Sequence, residues 1–317
     1  MVNEVGKAGW SGEWSIGIYA SSSSDPLNFS EENITNPVLT ANDVSDVPAN
    51  LVADPFLVHD NGAWFMFFEV QNDTTKPGRK FRYPHTGAIG LAVSNDGLDW
   101  SYRQIVLDEP FHLSYPYVFQ WKGEYYMIPE TNQTRSVRLY KAASFPYTWF
   151  FVETLISGRR FADSSILRYG NIWYIFTATT RNDILSLYYA KELIGLWTEH
   201  PESPIIEGDA HIARPAGKVT IFGGRIIRFA QDGDPTYGNQ VWAFEITKLT
   251  PEVYEEHIVD DKSPILKGAG SGWNADRMHH IAPCQVNNKW IASVDGYRQT
   301  INWGGRLYLL LKKILGL

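Results

Sequence analysis

The chain has 317 residues, a formal net charge of −7 from 28 Lys and Arg against 35 Asp and Glu, and 14% aromatic residues. With no basic block, the charge balance argues against nucleic acid as the main partner, and a single cysteine, Cys284, excludes a disulfide framework and thiolate metal motifs. The 12 Trp and 17 Tyr suit stacked sheets, which need large flat side chains between them, and leave some over for a ligand.

In chain order, the sequence repeats one pattern: a polar residue opening an apolar strand, a tight turn, an aromatic-rich strand, and a later strand reaching a lone Trp or Tyr. The first unit opens at Asp54-Pro55, turns at Asn61-Gly62, continues Trp64 to Glu69 and Ile89 to Val93, and reaches Trp100. The second opens at Tyr115-Pro116, turns at Lys122-Gly123, continues Tyr125 to Glu130 and Val137 to Tyr140, and reaches Trp149. The third opens at Asp163, turns at Gly170-Asn171, continues Trp173 to Phe176 and Leu185 to Tyr189, and reaches Trp197. The fourth opens at Arg214-Pro215, turns at Gly223-Gly224, continues Ile226 to Phe229 and Val241 to Ile246, and reaches Tyr254. A repeat of roughly 50 to 60 residues is the period of a propeller blade with insertions.

A fifth unit begins at Met278-His279-His280, turns at Asn287-Asn288 and continues Trp290 to Asp295, but lacks a later half. Trp14 to Tyr19 reads as a late blade strand and could supply it, closing the ring and removing exposed edges. The expectation is an all-β, five-bladed β-propeller closed by the N-terminal strand, as one domain over residues 1–317 with a short tail at about 305–317. Met1 to Lys7 lacks the apolar run of a secretory signal, so a cytoplasmic location is expected. The apolar stretch Leu307 to Leu317 is too short to span a bilayer as a helix, and no stable membrane insertion is expected.

In a propeller the innermost strands run along the axis, so the residues opening them form a ring at one mouth. Here that ring is Asp54, Tyr115, Asp163, Arg214 and the pair His279-His280. Glu69 and Glu130 end apolar second strands, where an ionised carboxylate is costly unless it is paired or reaches the mouth, and Asp295 closes the matching run of the fifth unit. Gln231, Asp232 and Tyr237 lie on a loop that lacks the ligand series of an EF-hand. Trp273 and Asn274 could add a stacking face and an amide. Adjacent strand residues face opposite sides, so one of His279 and His280 is expected to face the channel and the other to pack; no metal or cofactor is expected. Arg214, and less so Arg228, could grip a phosphate or carboxylate in two-pronged geometry; the alternative is an Arg paired with Asp163 or Glu130.

The strings Val52 to Phe56, Glu109 to Phe119, Ile128-Pro129-Glu130, Ala213 to Gly217 and Met278-His279-His280 resemble the N-terminal domain of plant glucosamine inositolphosphorylceramide transferases and their free-standing bacterial relatives, from about Trp14 to Tyr297. In the plant enzymes a glycosyltransferase domain follows, so on these 317 residues the resemblance implies no transferase activity. A more distant likeness is to five-bladed furanosidases such as arabinanases, xylosidases and invertases. It implies catalytic Asp residues at the positions of Asp54 and Asp163 and a Glu acid at the start of the fourth blade, where this chain has Arg214.

The expectation that follows is a glycoside hydrolase-like protein, of inverting type, acting on a carbohydrate or sugar phosphate. Asp54 would be the base at a wetter rim, Glu130 the acid with its pKa raised by an apolar strand, Asp163 a tuning group, Glu69 a further candidate acid, and His112 and Tyr115 binding groups. The alternative is a non-catalytic module that binds a glycan or a glycolipid head group.

Overall fold

A computed structural model of the chain describes residues 10–21, 27–31, 33–72, 86–259, 262–286 and 289–301. The start Met1 to Lys7, the turn Asn287-Asn288 and the tail from about 305 lie outside them. The described residues form antiparallel sheets in the order of a five-bladed propeller, with two 3-10 turns and no α-helix. Among them no helix is long and apolar enough to cross a membrane.

Blade 1 is Ala49–Asp60, Ala63–Asn72, Thr86–Ser94 and Ser101–Leu107, and blade 2 is Ser114–Trp121, Glu124–Glu130, Ser136–Ser144 and Thr148–Ser157. Blade 3 pairs Phe161–Tyr169, Ile172–Thr179, Ile184–Ala190 and the two-residue Thr198–Glu199. In blade 4 the inner strand is broken into Arg214–Pro215 and Thr220–Phe222, both paired with Arg225–Gln231, followed by Gln240–Leu249 and Tyr254–Ile258. Blade 5 is Ile281–Val286 and Lys289–Ile301, completed by Trp10–Ser21 from the other end of the chain. That strand pairs with its neighbour from Trp10↔Ile301 to Ser21↔Trp290, so the N-terminal strand closes the ring as its sequence predicts.

The tight turns are where the sequence placed them. Asn61-Gly62 (φ 49° and 80°), Lys122-Gly123 (52° and 80°), Gly170-Asn171 (55° and 66°) and Gly223-Gly224 (56° and 89°) each put two successive residues at positive φ. That is the twist a two-residue hairpin needs, which explains a Gly in every pair. The recurring Trp also has one local cause. The indole N–H of Trp100 donates to the Gly97 carbonyl, that of Trp149 to Pro146 and that of Trp197 to Leu193, so each ties down the bend before an outer strand. Trp149 also packs in the core shared with blade 1, and Trp100 and Trp197 pack against the cores of neighbouring seams.

Among the described residues the buried apolar side chains fall into five clusters, one at each seam between blades. Between blades 1 and 2, Phe67, Ile89 and Leu91 meet Val118, Met127 and Tyr140; between blades 5 and 1, Ile16 and Ile18 meet Leu57, Met66 and Phe68. Burying these faces supplies the main driving force for the ring, and fixes which strand ends meet at the axis.

Candidate functional site

The innermost strands of blades 1 to 3 carry the same irregularity. The pairing slips between Ala53 and Phe56, between Ser114 and Tyr117, and between Ala162 and Ser165. At each slip one non-glycine residue sits in the left-handed region: Asp54 at φ 53°, Tyr115 at 47° and Asp163 at 47°. These β-bulges turn three equivalent side chains toward the axis. A left-handed Asp or Tyr costs of order 1 kcal/mol or more, and such strain concentrates at functional sites.

Two of the bulges are braced by carboxylates from the preceding blade. The Asp54 amide donates to Asp295 Oδ2 at 3.0 Å, and the Asp163 amide to Glu130 Oε2 at 3.3 Å. Asp54, Glu69, Glu130, Asp163 and Asp295 are all buried, with Asp54 only 5% exposed; the wetter rim expected for Asp54 is therefore corrected. Burial pushes the Asp54 carboxyl well above the usual range; His279 opposes the rise, while Asp163 and Asp295 add to it. Burial likewise pushes Glu69 well up, reinforced by the charges of Asp54 and Glu130. Asp163 is raised by burial to about 6, held there by the opposing Arg214.

Arg214 resolves the choice the sequence left open: it is a paired arginine. Its Nε donates to Asp163 Oδ2 at 2.5 Å, its Nη1 to Asn182 Oδ1 at 2.7 Å and its Nη2 to Glu130 Oε2 at 3.4 Å. Each guanidinium nitrogen makes one hydrogen bond within the protein, and the edge that could grip a ligand anion is turned to Asp163 and Glu130, so the pairing alternative replaces the two-pronged grip. Glu130 is equally occupied, since Oε1 accepts from Asn132 Nδ2 and Oε2 from Arg214 and the Asp163 amide. Both of its oxygens are taken by protein donors, which leaves neither free for the leaving oxygen expected of an acid. Gln231 donates from Nε2 to Asp163 Oδ2 at 3.0 Å and to the Pro215 carbonyl at 3.3 Å.

On the other side of the axis, His279 bridges two carboxylates: Nδ1 is 2.8 Å from Asp295 Oδ1 and Nε2 is 3.4 Å from Asp54 Oδ1. Burial works against its charge, but Asp295 and then Asp54 outweigh it, and the imidazole pKa is raised while that of Asp295 is lowered. His280 does not face away as strict alternation would have it, because both histidines precede the strand Ile281–Val286. Its Nε2 donates to the Pro55 carbonyl at 3.0 Å, leaving Nδ1 unprotonated 3.6 Å from Asp54 Oδ1, and burial lowers its pKa to about 4. Asp54, His279 and Asp295 are also close enough together to hold a cation among them.

Several candidates prove to be structural. Tyr115 is fully buried, and its hydroxyl spans the axis, donating to the Gly217 carbonyl at 2.8 Å, accepting from the Gly217 amide at 2.6 Å and meeting Ser165 Oγ at 2.7 Å. With Phe56 and His280 around its ring, it floors the channel and does not bind from the mouth. Arg228 is corrected too: it forks onto Glu256 at 2.8 and 2.6 Å, inside blade 4. Asp232 organises its own loop, accepting from His211, the Asp234 amide, Gln240 and Trp242. Asn274 donates to Tyr19 and Met278, and Trp273 to Glu31, so both brace blade 5.

Tyr237, by contrast, joins the site, its ring 5.2 Å from His279 and 5.3 Å from the Arg214 guanidinium. His112 flanks Glu69. The Gly87 amide donates to Nδ1 at 2.9 Å, so the ring proton is on Nε2, 3.6 Å from Glu69 Oε1. A Cβ at Gly87 would lie 2.1 Å from the Leu113 carbonyl and 2.8 Å from the His112 ring, so this close approach requires glycine. Sequence reasoning missed Asn182, which anchors Arg214, and Trp14, whose ring lies tilted 4.2 Å from that of His279. For Trp14 the signal was present: on the strand that closes the ring, its inward face runs aromatic at Trp14 and aliphatic at Ile16 and Ile18.

The fold is that of solved glycoside hydrolases. A GH62 α-L-arabinofuranosidase catalytic domain from Coprinopsis cinerea aligns with a TM-score of 0.57 at 13% identity, over 92% of this chain and 97% of that one. A family 117 glycoside hydrolase from Zobellia galactanivorans aligns with a TM-score of 0.52 at 15% identity, over 77% and 84%. In sequence, glucosamine inositolphosphorylceramide transferase 1 of Oryza sativa subsp. japonica is 37% identical over 309 residues, covering 90% of this chain and 40% of the relative. The Arabidopsis thaliana protein of that name is 32% identical over 311 residues, covering 91% and 39%. The chain thus spans about 40% of the length of the curated relatives it matches. The family described as glucosamine inositolphosphorylceramide transferase 1, N-terminal, matches residues 7–297, and the chain belongs to that family.

Proposed function

We infer that the chain is a carbohydrate-active protein whose axial acid cluster cleaves a glycosidic bond. The observation that carries this reading is the convergence of buried carboxyls at the axis in unlike surroundings: burial pushes Asp54 and Glu69 upward, while Asp295, 2.8 Å from His279 Nδ1, is pulled downward. Neighbouring acids with separated proton affinities are what acid/base cleavage of a sugar acetal needs. The propeller neighbours are glycoside hydrolases by name and the curated relatives are glycolipid transferases by name, which supports a sugar as the ligand.

The roles differ from those expected on sequence. Glu130 is tied up by Asn132, Arg214 and the Asp163 amide, and so is a positioning residue. The candidate proton donors to the leaving oxygen are Asp54 and Glu69, the two carboxyls that burial raises well above the ordinary range. Asp163 has one oxygen anchored by Arg214 and Gln231 and the other, Oδ1, without a partner. Poised at about 6, it is suited to take the proton of an attacking water.

The test is turnover of aryl glycosides with good and poor leaving groups. An acid variant, Asp54→Asn or Glu69→Gln, should lose about 10²-fold or more on phenyl glycosides and far less on dinitrophenyl glycosides, which need no protonation. Asp163→Asn should lose the same factor on both. One observation favours a second reading, a glycan-binding module without turnover: Arg214 stands where the furanosidase pattern has its acid, and it neutralises Asp163 and Glu130. Sugar binding by a protein that hydrolyses none of the panel would establish that second reading in place of the first.

A further inference from the structure

Three atoms of the kind that ligate metals converge on one side of the axis. His280 Nε2 donates its ring proton to the Pro55 carbonyl at 3.0 Å, so Nδ1 carries a lone pair, and that atom is buried with no hydrogen-bond partner. It stands 3.6 Å from Asp54 Oδ1. The same oxygen lies 3.4 Å from Nε2 of His279, whose other ring nitrogen is 2.8 Å from Asp295 Oδ1. His280 is fully buried, and His279 and Asp54 are 3% and 5% exposed.

The gap between Asp54 and His280 is of a particular size. A proton shared between the two would draw oxygen and nitrogen to about 2.8 Å, and 3.6 Å is too long for a hydrogen bond. A metal ion spans such a gap: with bonds of about 2.0–2.2 Å, neighbouring ligands of a tetrahedral site lie about 3.4 Å apart. The outer partners are also those of metal-bound imidazoles, which spend their second ring nitrogen on a carboxylate or a backbone carbonyl; His279 has Asp295 and His280 has Pro55. Asp295 lies close enough to Asp54 and His279 to be a ligand itself, but its oxygens are already taken, Oδ1 by the His279 amide and ring and Oδ2 by the Asp54 amide. A cation also suits the local charge, because Asp54, Glu69, Glu130, Asp163 and Asp295 are all buried around the axis, against the guanidinium of Arg214 and the imidazole of His279.

We propose that Asp54, His279 and His280 bind a divalent transition metal ion, with Asp295 and the Pro55 carbonyl orienting the two imidazoles. Imidazole with carboxylate is a ligand set for zinc or iron(II). Calcium and magnesium take oxygen shells and match two nitrogens poorly. Three protein ligands leave a position for water or for a hydroxyl of a bound ligand. The ion needs Asp54 ionised and a lone pair on each ring; His280 presents one, and the ion displaces any proton on the other two. The proposal does not depend on cleavage of a glycosidic bond; with Asp54 on the ion, Glu69 is the remaining candidate donor. It reverses the sequence expectation of no metal, which sent the two adjacent histidines to opposite faces.

The test uses the full chain, freed of metal with a chelator and titrated with zinc chloride and cobalt(II) chloride at about pH 7.5, where an ordinary imidazole is unprotonated. The chain should bind a single zinc, cobalt should show the visible absorption of a site with nitrogen ligands, and zinc but not excess calcium chloride should displace the cobalt. X-ray absorption at the zinc edge should count two imidazoles at about 2.0–2.1 Å. His280→Ala should weaken zinc binding about 100-fold or more, and Asp295→Asn about 10- to 100-fold, the cost of losing an outer partner. If His280→Ala does not fold, the imidazole count of the unmodified protein decides. Failure to bind zinc or cobalt, preference for calcium, or fewer than two imidazoles on the zinc would overturn the proposal. So would zinc binding that a folded His280→Ala protein keeps and a His211→Ala protein loses, because the His211 side chain, 53% exposed beside Asp232 and Asp234, is where an adventitious ion would sit.

Discussion

Arg214 is the residue on which the acid cluster depends. A buried ion pair adds little net stability when intact, because desolvation consumes most of the attraction, but removing one partner strands the other's charge in a dry interior. Arg214 has two such partners, Asp163 and Glu130, and a third contact in Asn182. Arg214→Met should therefore cost about 3 to 5 kcal/mol in urea denaturation, well beyond the typical surface substitution. Adding Asp163→Asn to the Arg214→Met protein should restore part of that loss, because the stranded charge is then removed. An Arg214→Met protein as stable as the parent would mean that the two carboxyls are neutral without it. These partnerships are also the part of the site that composition could not reveal. Arg214 is 51 residues from Asp163 and 84 from Glu130, and although its place at a strand opening put it in the ring, nothing local in the sequence named its partners, just as nothing named Glu256, on an outer strand of the same blade, as the partner of Arg228.

The blades themselves were legible because they are written in local signals: apolar strands, a two-residue turn with glycine in blades 1 to 4, and in blades 1 to 3 a Trp that fastens the last bend. What was not legible is how the blades are joined at the centre, since those contacts are made by backbone. Gly217 shows this. It sits at φ 127° where blade 4 meets blade 5 in a parallel bridge to Ile281, and an added Cβ would lie 1.8 Å from the Ile281 carbonyl oxygen. The same short segment holds the seam through Ile281 N–H to the Ala216 carbonyl at 2.7 Å, and meets the Tyr115 hydroxyl that spans the axis. Neither wall is a flexible side-chain end, so Gly217→Ala should force the seam apart and cost about 3 kcal/mol or more in chemical denaturation. Gly223→Ala is the control. That glycine also has a positive φ, 56°, but faces open space, so its replacement should cost only about 1 kcal/mol. The ring residue Tyr115 was misread for the same reason: its position at the strand opening was legible, but its use as a floor tile depends on a glycine 102 residues away.

For the molecule as a whole, the axial cluster makes stability depend on pH in an unusual direction. A carboxyl whose pKa is raised on folding binds its proton more tightly in the native state, so its contribution is complete below the unfolded pKa and is lost as pH rises through the folded one. For Asp163 the window runs from the ordinary 3.8 to about 6, a difference worth about 3 kcal/mol across it. Asp54 and Glu69 act in the same sense and extend the loss to higher pH. Asp295, with its pKa lowered by His279, acts in the opposite sense at the acid end. Surface carboxylates blur the total, so the informative quantity is a difference. The melting temperature of Glu69→Gln minus that of the parent should be close to zero near pH 4, where Glu69 is protonated in both states, and should become increasingly positive as pH rises beyond it. Gln keeps the shape of the neutral acid and cannot acquire the buried charge. A difference that is flat in pH, or that falls as pH rises, would show that Glu69 ionises inside the propeller as easily as in water.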